Sequence, residues 1–237
     1  MWSGPRNIST AMMRAWENRS DTIVVDEPFY ACYLAQSGHD HPGRDEVMAA
    51  LSCDWRTVIS QLASPLPDGI TIQYQKQMTH HLDDSVSLDW LDSVQNCFLI
   101  RRPRNMLASL LRVLPDAGID ETGLPQQRRL FEHVRAATGV VPPVIDSADV
   151  LRDPAGTLAT LCRALAVDFS EKMLHWPAGP RDSDGVWARF WYASVERSTG
   201  FAPYRQAEPE IPPVKNDVLA QCEEHYEVMA QYRLEAT

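Results

Sequence analysis

The sequence predicts an α/β fold, a parallel β-sheet flanked by helices. Three observations lead there. Short apolar runs recur at 22–26 (TIVVD), 70–75 (ITIQYQ), 96–101 (NCFLIR) and 142–146 (PPVID), each of strand length. Amphipathic stretches of helical period separate them, which is the pattern of βαβ units with helices on both faces of the sheet. A glycine-bearing loop at 3–10 joins a strand stub to the first helix.

Taken in order, residues 9–19 read as a helix, with Ser9 and Thr10 placed to cap its first amides and Met12, Ala15, Trp16 and Arg19 at helical spacing. The β-branched strand 22–26 follows, then a helix from Pro28 to about 36 and a loop at 38–43 holding His39, Asp40 and His41. Residues 44–63 carry Val47, Leu51, Trp55, Val58 and Leu62 on one side of a helix. After the strand 70–75 come a short helix at 86–94, the strand 96–101, and a helix at 103–113 opened by Pro103. A helix at 126–138 precedes the strand 142–146. Asp153-Pro154 then opens a helix to 165, and a short helix spans 170–176. The stretch 180–213 is irregular, and 214–233 closes the chain as a helix.

The chain has 237 residues, and the expectation is one domain spanning 1–237 with a helical lid inserted at about 39–65. With only Met1 and Trp2 ahead of the loop, the first strand is too short, and a segment missing upstream is expected. Net charge is −10, which argues against a nucleic-acid partner, since that needs an extended basic face. The charge is uneven: Arg6 and Arg14 stand in an acid-free 1–16, and Arg101, Arg102, Arg104 and Arg112 in an acid-free 97–112. Two cationic islands in an acidic chain point to a small anionic ligand. The five cysteines form no metal or CxxC pattern, which implies buried thiols in a reducing cytoplasm and no metal. No apolar run reaches membrane-spanning length and no signal peptide opens the chain, so the expected location is cytoplasmic with no membrane partner.

The loop Ser3-Gly4-Pro5-Arg6-Asn7-Ile8-Ser9-Thr10 has the makings of a phosphate cradle. Free amides at a helix start carry partial positive charge, Arg6 adds a bidentate cation, and Ser9 and Thr10 add hydroxyls. It is not a Walker loop, because Ile8 and Ser9 occupy the places of the glycine and lysine of GxxxxGK[ST].

PRNIST at 5–10 resembles the 5′-phosphosulfate loop of sulfotransferases: Pro, a basic residue, two variable residues, two hydroxyl residues. RRPRNMLAS at 101–109 resembles the same family's 3′-phosphate motif, in which a strand-end arginine and a serine eight residues later hold that phosphate; here these are Arg101 and Ser109. Residues 144–174 resemble the family's strand, "EDL…DP" turn and helix. The motifs stand in family order over roughly 2–175. The resemblance implies a P-loop-like fold, with Pro5, Arg6, Asn7, Ile8, Ser9, Thr10, Arg101 and Ser109 binding 3′-phosphoadenosine-5′-phosphosulfate. The sulfuryl group would pass to a hydroxyl or amine of a small-molecule acceptor. It also implies a late loop closing over the nucleotide, for which Arg197 and Gly200 are the candidates, though the Arg-Lys-Gly form is absent.

Arg6 stands where many members carry lysine; it can stabilise leaving-group charge but gives up no proton. Two residues are candidates for the base. Glu27, in Asp26-Glu27-Pro28, resembles the glutamate of carbohydrate-type members, and a carboxylate at the carboxyl end of a parallel strand faces the ligand crevice. His80, in Lys76-Gln77-Met78-Thr79-His80-His81, stands near the place of the cytosolic members' base histidine, though four residues from Lys76 and not two. Trp187, Trp191 and Tyr192 are candidates for stacking on adenine, lining an acceptor pocket or filling the core. Two further functions compete, a nucleotide-binding module with altered chemistry and a small-molecule kinase on the same fold.

Overall fold

The computed structural model describes residues 1–235. Five parallel strands form the sheet: β1 (Trp2–Ser3), β2 (Thr22–Asp26), β3 (Ile72–Met78), β4 (Phe98–Ile100) and β5 (Val144–Asp146), in the order β2-β3-β1-β4-β5. Helices α1 (Ser9–Glu17), α2 (Tyr30–Ser37), α3 (Arg44–Ala50), α4 (Trp55–Leu62), α5 (Pro103–Leu111) and α6 (Leu124–Thr138) connect or cover them. Then come α7 (Ser147–Arg152), α8 (Pro154–Ala164), the short α9 (Ala188–Trp191) and α10 (Ala193–Glu196), and α11 (Asn216–Ala230).

The sheet is buried on both faces. In β4, Phe98 and Ile100 pack with Phe131 of α6 and Met229 of α11, while Leu99 packs with Met12 of α1 and Leu161 of α8. Side chains alternate across a strand, so three successive apolar residues feed two cores. Each side chain so buried is worth roughly 1.5–3 kcal/mol. The first strand is only two residues long, but it is central: Trp2 lies between Gln77 of β3 and Phe98 of β4. From β1 the chain crosses to one side for β2 and β3 and to the other for β4 and β5. The loop after β1 therefore sits at the switch point, where parallel sheets open a crevice.

Several elements differ from the sequence reading. The helix expected at 44–63 breaks between Ala50 and Trp55, because Asp54 turns its carboxylate onto the amides of Arg56 and Thr57 and caps a new helix. The third strand is displaced to Ile72–Met78, fixed by its register with β2 from Thr22↔Ile72 to Asp26↔Lys76. The helix expected at 86–94 is a 3₁₀ turn at Asp89–Ser93. Helix α7, absent from that reading, starts where the Asp146 side chain accepts from the Ala148 amide. The stretch 180–213 holds α9 and α10 and is anchored by Trp187, which is buried.

Candidate functional site

The loop after β1 is built from unusual backbone. Arg6 (φ 63°) and Ile8 (φ 62°) both adopt the left-handed conformation, which costs non-glycine residues roughly 1–3 kcal/mol each. Left-handed residues flanking Asn7 turn successive amides toward one side, an arrangement that binds anions. The expected side-chain cap is absent: Ile8 precedes α1, and neither Ser9 nor Thr10 caps it, so the first amides of α1 keep no side-chain partner from a cap. Asn7 is buried; its Nδ2 donates to the Leu99 carbonyl at 3.4 Å, and its Oδ1 has no partner. Gly4 and Gly123 make the loop's close packing possible. A Cβ on Gly4 would stand 2.6 Å from the Thr122 carbonyl oxygen, and one on Gly123 (φ 69°) 2.6 Å from Thr79 Oγ1.

The two arginine-bearing motifs meet here. Arg6 Nε donates to Ser109 Oγ at 3.1 Å, and the Arg101 guanidinium donates to the Arg6 carbonyl. Residues far apart in sequence are thus joined, because β4 lies beside β1 and α5 starts at its end. Burial lowers the pKa of Arg6, and the charge of Arg112 adds to this; Arg101 is lowered by burial first, then by Arg6 and Arg112. Neither Arg6 nor Arg101 forms an ion pair among the described residues. Asp146, which also lines the cavity, offsets part of the charge on Arg101, but burial and the neighbouring guanidiniums outweigh it, and like charges so held favour an incoming anion. Arg101 and Ser109 open onto a cavity of about 500 Å³ between α5, the start of α7 and the segment 204–209.

Arg197 and Gly200 do not join this cluster. Gly200 bridges His175, whose carbonyl accepts from Asn18 just beyond the C-terminal end of α1, the opposite end from the loop. Tyr204, Arg205 and Pro209 line the cavity. The wall residues Arg112 and Arg205 escaped the sequence reading as site residues. Their signal was faint: an arginine three residues after Ser109, and one in a proline-rich stretch.

A second, buried cluster closes the ends of β2 and β3. Lys76 Nζ lies 2.9 Å from Asp26 Oδ1, 2.5 Å from Glu27 Oε1 and 2.5 Å from the Tyr192 hydroxyl. The Tyr192 hydroxyl also donates to Asp26, and Trp187 Nε1 donates to Tyr192. Trp187 and Tyr192 therefore belong to the core of this cluster. Burial opposes the charge on Lys76, but Asp26 and Glu27 outweigh it and hold its pKa well above the usual range. Glu27 is raised, by burial and by Asp26, against the pull of Lys76. Its φ of 42° is a third left-handed residue near the crevice. Glu27 Oε2 lies 4.0 Å from His81 Nδ1.

His80 and His81 form the 3₁₀ turn after β3. His81 stacks on Tyr30 (4.6 Å between ring centres) and Tyr33 (4.9 Å), and His80 meets Tyr33 edge-on. Burial drives the His80 pKa down to about 3, with His41 and His39 adding to the effect. The loop histidines are held in place too: His41 Nδ1 is 2.9 Å from the Tyr30 hydroxyl, and His39 stacks on Tyr33. Glu27 and His80 both stand at the crevice end of adjacent strands. Glu27 is held by Lys76, whereas the buried Nδ1 of His80 has no partner. Among the described residues no group of three or more His, Cys, Asp or Glu is arranged to hold a metal ion, and no helix is long and apolar enough to cross a membrane.

The sulfotransferase domain family matches residues 1–233. The chain belongs to the sulfotransferase family. Two curated relatives from Arabidopsis thaliana match as well: branched-chain-amino-acid aminotransferase-like protein 2 is 32% identical over 228 residues, covering 96% of this chain and 40% of that protein. Branched-chain-amino-acid aminotransferase-like protein 1 is 34% identical over 231 residues, covering 98% and 41%. This sulfotransferase chain thus spans about two-fifths of the length of either relative. Among solved structures, the sulfotransferase domain from the Synechococcus PCC 7002 olefin synthase superposes with a TM-score of 0.59 at 16% identity, covering 99% of this chain and 94% of that one. The sulfotransferase domain from the curacin biosynthetic pathway gives 0.52 at 12%, covering 99% and 97%. At such identities these two matches establish the fold, the parallel α/β architecture read from the sequence.

Proposed function

We propose that this sulfotransferase moves a sulfuryl group from 3′-phosphoadenosine-5′-phosphosulfate to a hydroxyl or amine of a small-molecule acceptor. One observation carries the reading: the loop at 5–10 and the pair Arg101–Ser109 converge, through the Arg6–Ser109 and Arg101–Arg6 hydrogen bonds, at the switch point of the sheet. The amides of 6–10 and the hydroxyls of Ser9 and Thr10 hold the 5′-phosphosulfate, while Arg101 and Ser109 hold the 3′-phosphate. The uncompensated guanidiniums fit such a polyanion.

Sulfuryl transfer makes the same demands as phosphoryl transfer: in-line placement, stabilisation of the leaving oxygen and removal of the acceptor's proton. As the acceptor oxygen or nitrogen bonds to sulfur, the bond from sulfur to the 5′-phosphate breaks. Arg6 stabilises the charge left on that phosphate electrostatically. The acceptor's proton goes to Glu27, whose raised pKa makes it the stronger base and which Lys76 aims. His80, with its pKa near 3, is a poor proton acceptor at neutral pH. The acceptor enters between the 39–65 region, acting as a lid, and the 180–205 segment; these two are already tied by Arg189 Nη2 to Glu46 Oε1 at 2.5 Å.

Calorimetry with two nucleotides tests the reading. Each charged hydrogen bond to the 3′-phosphate is worth ~1.5–3 kcal/mol, so adenosine 3′,5′-bisphosphate should bind at least ~100-fold tighter than adenosine 5′-monophosphate. Arg101→Ala should erase most of the gap and Ser109→Ala part of it. Equal wild-type affinities would refute the proposal.

A further inference from the structure

The cavity beside Arg101 and Ser109 carries more positive charge than those two residues supply. Arg102 is neutralised by Glu208 at 2.7 Å, Arg152 by Asp149 at 2.9 Å, and Arg233 lies 3.8 Å from the same Asp149. Arg112 differs. It lines the cavity, is solvent-exposed, and forms no ion pair among the described residues.

Its position follows from helix geometry. Asn105, Ala108, Ser109 and Arg112 all line the cavity. The spacings of three and four residues place them in one stripe along the cavity face of α5 and its C-cap. Arg112 stands about one turn beyond the serine that accepts from Arg6. Its charge also lowers the pKa of both Arg6 and Arg101, so the three guanidiniums share one field. An exposed, unpaired arginine that repels two others has no evident stabilising role in the empty protein.

We propose that Arg112 is a third cation for the 3′-phosphate, a binding residue that sharpens selection of the bisphosphorylated nucleotide. This rests on the nucleotide reading above. It predicts a specific effect: loss of Arg112 weakens ligands bearing a 3′-phosphate and leaves a 5′-monophosphate unaffected. Because the side chain is exposed, the effect should be moderate and screened by salt.

The experiment is isothermal titration of wild type, Arg112→Gln and Arg112→Lys with adenosine 3′,5′-bisphosphate and with adenosine 5′-monophosphate, at low and at physiological ionic strength. Arg112→Gln should bind the bisphosphate about tenfold more weakly at low salt, with the monophosphate within twofold of wild type. Arg112→Lys should recover part of the loss, and the loss should shrink as salt rises. Thermal melting should be unchanged in both variants. A wild-type preference retained in full by Arg112→Gln would overturn this inference while leaving the nucleotide reading intact. Equal weakening of both nucleotides would also overturn it, since the arginine would then serve the 5′ side or the general field. Absence of any wild-type preference would overturn the nucleotide reading and this inference together.

Discussion

Replacing Lys76 with methionine is the most informative single perturbation. The ammonium is buried, and it contacts two carboxylates and a phenol at 2.5–2.9 Å. Methionine matches its length but leaves Asp26, buried, and Glu27, largely buried, side by side with no cation between them. Breaking a buried ion pair from one side typically costs 3–5 kcal/mol, because an uncompensated charge remains in a poorly solvated place. Against a total stability of about 5–15 kcal/mol, that is a large share. With a urea dependence of about 1–3 kcal/mol per molar, the unfolding midpoint at pH 7.5 should fall by about 1–5 M. The penalty belongs to ionised carboxylates. At a second, acidic pH, where Glu27, its pKa raised by burial, takes up a proton, the difference between variant and wild type should shrink markedly. Urea unfolding of both proteins at the two pH values measures it. A loss below about 1 kcal/mol at pH 7.5, or one independent of pH, would refute the view that Lys76 holds these carboxylates ionised in the folded state.

Further outcomes are expected. Glu27→Gln should lower turnover by ~10²–10⁴-fold, as loss of a general base does, with nucleotide affinity little changed. His80→Ala should be mild by comparison, and the reverse ranking in steady-state kinetics would move the base to the histidine. Gly123→Ala places a Cβ 2.6 Å from Thr79 Oγ1 in a left-handed conformation, so a melting experiment should show a loss of about 2–4 kcal/mol. Because Gly4 Cα also lies 3.5 Å from that Cβ, bisphosphate affinity should fall too. His80 is held neutral with its pKa near 3, below its ordinary 6.5, so its contribution is present above about pH 6.5 and is lost as the pH falls toward 3. Full loss would amount to about 5 kcal/mol at most. An acid titration followed by near-UV circular dichroism should therefore show His80→Asn unfolding at lower pH than wild type.

The apolar periods of the sequence determined the parallel α/β architecture and four of its five strands, because burial on both faces demands runs such as TIVVD and CFLI, whereas the two-residue β1 showed only as a stub. Local signatures in neighbouring residues singled out the loop 5–10 and the pair Arg101 and Ser109, which the fold brings into contact. Boundaries depended on partners. Helix 44–63 broke because the Asp54 side chain competes for backbone amides, and β3 slid to Ile72–Met78 because its register is set by β2 up to Lys76 and by β1 at Gln77 and Met78. Only the tertiary structure decided which distant groups share a site. The β2/β3 register set Lys76 beside Asp26, and packing of 181–192 against that end of the sheet brought in Tyr192, 116 residues away. Likewise it placed Arg112 over the same cavity as Arg101, and sent Arg197 and Gly200 to the far end of α1. Local sequence encodes periodicity and turn chemistry; which charges stand a few ångströms apart is set by strand order and by packing, neither of which is written in any one segment.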